Sequence, residues 1–215
     1  MQTIELNNLL PHVFRERKGT LRSDVWQRRL TLERGQKYLI EAMSGTGKSS
    51  LCAYLIGYRT DYEGTICFDG TPTTQFSSVQ WTNLRRVVLS HLFQELRLFP
   101  ELTALENVEI KNRLTHHKPL SWITQTFERL GIGEKLHAKV GRMSFGQQQR
   151  VAFVRALAQP ADFLLLDEPV SHLDEGNAHI MADILQEEMR ATQPAVVVTS
   201  IGKHLPIAYD HTLYL

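Results

Sequence analysis

Ala42-Met43-Ser44-Gly45-Thr46-Gly47-Lys48-Ser49 follows the short apolar run Tyr38-Leu39-Ile40. It precedes a helical pattern from Ser50 to Ile56, with Leu51, Tyr54 and Leu55 on one face. Glycines, a lysine and a hydroxyl at this spacing suit a polyphosphate. A glycine-rich turn presents successive backbone N–H groups as an anion nest, and the N-terminus of the following helix adds positive potential. Lys48 is then placed to reach the β and γ phosphates, and Ser49 to ligate Mg²⁺. The run fits G-x-x-x-x-G-K-[ST] except that Ala42 stands at the first glycine. Its methyl group is harmless at negative φ and strained at positive φ. The bland alternative is a glycine-rich turn with an incidental lysine; the strand before it and the helix after it favour the phosphate loop.

Phe163-Leu164-Leu165-Leu166-Asp167-Glu168 is a second constellation. Four consecutive apolar residues read as a strand buried on both faces. Such a strand delivers two carboxylates to the carboxyl edge of a sheet, where α/β proteins bind ligands. Alternation turns them to different sides. Asp167 is expected to complete a Mg²⁺ shell and Glu168 to meet an attacking water. An acidic turn after a strand is common by itself, but its company with a phosphate loop favours the functional reading.

The elements that must position these groups read as α/β. The first 35 residues read as strands, with Ile4, Leu6 and Leu9 before Pro11 and Trp26, Leu30 and Leu32 near alternation. Lys37–Glu41, Thr65–Phe68 and Val87–Leu89 read as strands, with Arg85-Arg86 on a solvated strand edge. Signals turn helical between about Leu102 and Gln159, including Trp122–Leu130 and Gln147–Ala158, with Pro160 beyond. Ala195–Thr199 and Tyr209–Leu215 read as strands around the end of a helix over Glu175–Thr192. The expectation is one domain over residues 1–215: a core of 1–93 and 147–215 with a helical subdomain of 94–146 inserted.

The chain has 215 residues, 42% apolar and 22% charged, with 24 basic and 23 acidic side chains. Near-balanced charge argues against a dedicated nucleic-acid partner. The 2 cysteines, Cys52 and Cys67, are too few for a disulfide scaffold. No apolar run is long enough to cross a bilayer, and no leader peptide or C-terminal regulatory domain is expected. Among lesser candidates, His116-His117 reads as a solvated loop, Trp81 and Trp122 as packing residues, Cys52 as a small core residue, and His172 as a backbone-positioning residue.

Ser144-Phe145-Gly146-Gln147 opens the strongest helix, and with Met143 it resembles the Leu-Ser-Gly-Gly-Gln signature of the ATP-binding cassette (ABC) ATPases. Met143 stands for leucine and Phe145 for the first glycine. Gln94 is similar to the family's Q-loop glutamine, Leu102 to Val108 to its "LTVxENV" segment, and Ser171-His172-Leu173-Asp174 to its D-loop. Phe14 sits where an aromatic stacks on adenine. The resemblance runs along the whole chain and implies an ABC-type P-loop core with an antiparallel β edge and an inserted helical subdomain. It implies ATP and Mg²⁺ as cofactors. Residues Ala42 to Ser50, including Met43, Ser44, Gly45, Thr46 and Gly47, would cradle the nucleotide. Ser144, Gly146, Gln147 and Asp174 would meet the nucleotide of a second subunit in a homodimer or heterodimer. Ser49, Gln94 and Asp167 would surround the metal, and Glu168, Gln94 and Ser200 would serve catalysis.

The implied function is an ATP-hydrolysing subunit that powers transport through a separate transmembrane permease, peripheral on the inner face of the cell membrane. The permease's coupling helix would be received around Gln94 to Asn107. The pattern of Phe93 to Val108 looks most like the subfamily serving lipoprotein release, macrolide export and cell division. Two departures stand out. Ser200 occupies the place of the family's switch histidine, with His204 one helical turn further on and not a substitute. Phe145 replaces a residue whose smallness lets the signature approach phosphate. Slow basal hydrolysis is therefore expected. The alternatives are a nucleotide-binding assembly subunit with little turnover and a small-molecule P-loop kinase, which leaves the signature and D-loop unexplained.

Overall fold

The computed structural model describes all residues, Met1–Leu215. Two sheets share the chain. β1 (Thr3–Pro11) pairs antiparallel with β2 (Arg29–Glu33) and with β4 (Tyr62–Phe68), and β5 (Thr71–Pro72) closes the order β2-β1-β4-β5. β3 (Lys37–Glu41), β6 (Leu89–Leu92), β7 (Phe163–Asp167), β8 (Ala195–Ser200) and β9 (His211–Tyr214) form a parallel sheet in the order β6-β7-β8-β3-β9. The helices are α1 (Lys48–Leu55), α2 (Ser78–Val87), α3 (Ala104–Asn112), α4 (Leu120–Arg129), α5 (Phe145–Leu157) and α6 (Glu175–Thr192).

β7 and β8 are buried at every residue. Alternation divides their side chains between two cores. Phe163, Leu165, Ala195 and Val197 pack with Leu51, Tyr54 and Leu55 of α1 and with the antiparallel sheet. Leu164, Leu166, Val196 and Val198 face α5 and α6. Ala104, Val108, Ile123 and Phe127 of α3 and α4 join that second core through α5. The helical segment thus shares one apolar core with the sheet's outer face.

Five local readings are corrected. The N-terminal strand pattern stops at Pro11, whose missing N–H cannot continue a ladder, and His12–Arg17 is a 3₁₀ turn. Trp26 lies in the turn before β2, not in a strand. Val87 ends α2 instead of opening a strand, and β6 begins at Leu89. Ser77 and Gln80 form the capping box that starts α2, a signal legible in the Ser-x-x-Gln spacing. Arg85 and Arg86 therefore sit on that helix's last turn, where Arg85 donates to the carbonyls of Ile56 (2.8 Å) and Gly57 (2.9 Å) after α1. Residues 201–204 form a bend and an irregular stretch, so His204 is not a helical turn from Ser200.

Candidate active site

β3 ends at Glu41, and the loop that follows is tied to β8 by Ala42 N–H donating to Ser200 O at 3.0 Å. Ala42 is not among the residues with positive φ, so its methyl group is accommodated without strain. Gly45 (φ +82°) and Gly47 (φ +101°) do need glycine's freedom. A Cβ on Gly47 would also lie 3.0 Å from Trp26 Cζ2 and 3.1 Å from Phe14 Cε2. Trp26 Nε1 donates to Thr46 O at 2.9 Å. Trp26 is thus the floor of the loop, a role the sequence reading missed. Its signal was an apolar Val25-Trp26 pair in a polar stretch.

Beneath the loop, five expected groups converge. Lys48 Nζ lies 3.3 Å from Glu168 Oε1, and both side chains are nearly buried. Ser49 Oγ donates to Gln94 Oε1 at 3.3 Å. Asp167 is buried and accepts from the Thr199 hydroxyl. Burial pushes the Asp167 carboxyl above its usual range, with the charge of Glu168 adding to this, while the Thr199 and Ser49 hydroxyls and Lys48 oppose it. The hydroxyl of Ser49, the carbonyl of Gln94 and the carboxylate of Asp167 are all oxygen donors, which fits Mg²⁺. Glu168 Oε1 is buried and has no hydrogen-bond partner, so the Lys48 ammonium is the only cation holding it.

Glu168 adopts the left-handed conformation, φ +51°. For a non-glycine residue that costs on the order of 1 kcal/mol and must be held. The holders are specific. Glu168 N–H donates to Thr199 O at 3.0 Å. Its carbonyl accepts from Gln149 Nε2 at 3.0 Å and from Ser171 Oγ at 3.2 Å. Gln149, buried in α5, was also missed. Its position five residues past the signature serine gives no chemical signal in one sequence.

The other predicted residues are placed as follows. Ser200 is wholly buried at the end of β8, and its hydroxyl donates to Lys203 O at 2.7 Å, so its one donor is spent within its own turn. Lys203 Nζ in turn donates to Leu173 O. Ser144 and Gln147 form the capping box that starts α5. Phe145 points outward, 44% exposed, with its ring edge-on to His172 at 4.4 Å between centroids. A Cβ on Gly146 would lie 3.3 Å from His172 O, so signature and D-loop pack closely. Asp174 caps α6, accepting from Asn177 N and Nδ2 at 2.8 Å each, and these bonds hold its carboxyl below the usual range. Phe14 is 8% exposed and lines a cavity of about 290 Å³ with Arg17, Met43 and Thr46. The Ser50 hydroxyl accepts from Arg59 at 3.1 Å. Cys52 is a buried free thiol and Trp81 packs edge-on to Phe68 and Phe76, both as expected.

Comparison with known proteins agrees with this geometry. Residues 26–171 match the family described as ABC transporter. The chain is 31% identical over 190 residues to the lipoprotein-releasing system ATP-binding protein LolD 2 of Rhodopseudomonas palustris, covering 87% of this chain and 82% of that protein. It is 34% identical over 190 residues to the macrolide export ATP-binding/permease protein MacB of Shewanella sp. (strain ANA-3), spanning 86% of this chain but only 28% of that longer protein. Among solved structures, the dimeric structure of MJ0796, a bacterial ABC transporter cassette, superposes with a TM-score of 0.75 at 25% identity, covering 91% of this chain and 87% of that one. A post-hydrolysis form of the same cassette with ADP and Pi gives 0.73 at 26% identity. These matches bear out the subfamily as well as the fold: the chain belongs to the ABC transporter family, as an ATPase of the lipoprotein-release and macrolide-export type.

Proposed function

We propose that this chain binds Mg·ATP at residues 42–50 and works as one half of a head-to-tail dimer coupled to a separate membrane permease. The observation that carries this reading is the convergence of Lys48, Ser49, Gln94, Asp167 and Glu168 under one loop. The Lys48–Glu168 pair, 3.3 Å apart, defines the first step. Lys48 exchanges the carboxylate for phosphate, and Glu168 is released to accept a proton at Oε1 from the attacking water. Ser49, Gln94 and Asp167 are the residues that would hold Mg²⁺, and the ion would supply charge to neutralise the phosphates. Phe14 and the cavity beside Met43 offer the adenine an apolar wall. Ser144, Gly146 and Asp174 make no hydrogen bond to residues 42–50 of their own chain, which suits a role across a dimer. Either an identical or a related second subunit meets that need.

A second cavity of about 290 Å³ supports the permease partner. Arg85, Arg97, Lys111 and Arg155 line it, with no acidic residue among its walls. It opens between β6, the Q-loop and α3, and its charge fits an acidic docking segment. No helix of the chain is long and apolar enough to cross a membrane, so attachment through a permease on the inner face of the membrane, in the cytoplasm, is the reading we favour. The departure at Ser200 supports slow basal hydrolysis, because no side-chain donor stands free where the family has its switch histidine. Nucleotide titration of Lys48→Ala tests the site, with unchanged ATP affinity refuting it. Co-purification of membrane subunits with the parent, lost in Lys111→Glu, tests the coupling.

A further inference from the structure

We propose that Cys52, His91 and Asp167 form a site for a borderline-soft divalent cation, best suited to Zn²⁺, that lies beneath the phosphate loop and shares Asp167 with it. One ligand atom from each residue lies within 4.8 Å of the other two. Sheet register explains the meeting. His91 of β6 stands opposite Leu165 of β7, so His91, Leu165 and Asp167 project from one face. That is the face α1 covers, and α1 brings Cys52 down one turn after Lys48.

The donor set is sulfur, imidazole nitrogen and carboxylate oxygen. Zn²⁺ takes such a set, whereas Mg²⁺ demands oxygen. An independent observation points the same way. Both ring nitrogens of His91 are buried and neither has a hydrogen-bond partner, which is rare in a folded core. The Cys52 thiol is free and buried beside it. Asp167 is steadied by the Thr199 hydroxyl, the outer partner that a metal-binding carboxylate usually has. Zinc bonds of about 2.0–2.3 Å place ligand atoms roughly 3.5 Å apart. Side-chain rotation of Cys52 and His91 by about 1 Å closes the present separations. As the zinc–sulfur bond forms, the thiol proton leaves to solvent. Lys48, Arg97 and Lys111 oppose the cation; the Asp167 and Glu168 carboxylates and the new thiolate offset them. A cation held here withdraws Asp167 from Mg²⁺, so the site is a zinc-sensitive brake on hydrolysis. Cation binding is tested without nucleotide and stands or falls apart from the proposed function; the braking effect rests on that function.

The experiment is a Co²⁺ titration of the full chain without nucleotide, Co²⁺ standing in spectroscopically for Zn²⁺. One equivalent should raise a near-ultraviolet thiolate-to-cobalt band and the intense visible bands of cobalt four-coordinated by these three groups and one water, and Zn²⁺ should erase both by displacement. Cys67→Ala, on the other sheet, should keep the band. Cys52→Ala should lose it, and His91→Phe should weaken Co²⁺ affinity roughly a hundredfold. Added Zn²⁺ should also inhibit parent hydrolysis at fixed Mg·ATP, reversibly on chelation. Absence of the band at saturating Co²⁺, its survival in Cys52→Ala, or parent-like affinity in His91→Phe overturns the proposal. Should Cys52→Ala fail to fold by circular dichroism, the parent, Cys67→Ala and His91→Phe still decide it.

Discussion

Gln149→Leu separates positioning of Glu168, the proposed catalytic carboxylate, from stability. In the parent, Gln149 Nε2 donates to Glu168 O at 3.0 Å, while Gln149 Oε1 is buried with no partner. Leucine removes the bond and also the unmet carbonyl. A net hydrogen bond contributes about 1 kcal/mol, and leaving a buried acceptor unsatisfied costs about as much. Glu168 O retains Ser171 Oγ at 3.2 Å, so it is not stranded. The two effects on global stability nearly cancel, and the melting temperature should scarcely move. Glu168 is affected otherwise, because its φ of +51° is an unfavourable conformation maintained by those bonds. Losing about 1 kcal/mol of that support shifts the equilibrium constant between this conformer and its alternatives by roughly fivefold, which is the upper bound on the loss of the competent conformer. The steady-state ATPase assay should show kcat lowered, by up to roughly fivefold, with KM unchanged, since the proposed mechanism has Glu168 meet the attacking water and not the ground-state phosphates. Ser171→Ala removes the other side-chain donor, and the double variant should fall further, by up to roughly 25-fold if the bonds act independently. A Gln149→Leu protein with parental kcat, or one whose loss lies in KM, refutes the reasoning.

Lys48→Ala should lose most ATP affinity by titration, because a fixed cation facing a polyanion is removed. Glu168→Gln should retain ATP binding, slow hydrolysis strongly and accumulate a dimer with ATP by size-exclusion chromatography. Ser200→His should raise kcat, since a well-placed donor to developing phosphoryl charge is worth about 3 kcal/mol, or roughly a hundredfold; a brisk parent with no gain in the variant would assign the role to another group. Acid stability tests His91. Burial, with Arg97 and Lys111 nearby, pushes its pKa from 6.5 down to about 3. Between those values the unfolded chain binds a proton that the folded chain refuses. Stability should therefore fall on acidification below pH 6.5, by up to about 1.4 kcal/mol per pH unit from this group. Denaturant titrations should show that slope reduced in His91→Phe.

The phosphate loop, the Asp167-Glu168 pair and the signature were legible in residue order because each is a local run whose chemistry depends on neighbours within one turn or strand. β7 and β8 were equally plain, since strands buried on both faces must be continuously apolar. Helix α2 was hidden because its single buried residue, Leu84, leaves no apolar stripe, and only its capping box announced it. Trp26 under Thr46, Gln149 behind Glu168, and Cys52 and His91 beside Asp167 depend on sheet register and helix placement, which join residues far apart in the chain. Ser200 shows the division most sharply. Resemblance to the family is what marked Ser200 as standing at the switch-histidine position. Whether the serine's hydroxyl faces phosphate was decided by tertiary structure, where burial of that polar group demanded a partner and the Lys203 carbonyl supplied it.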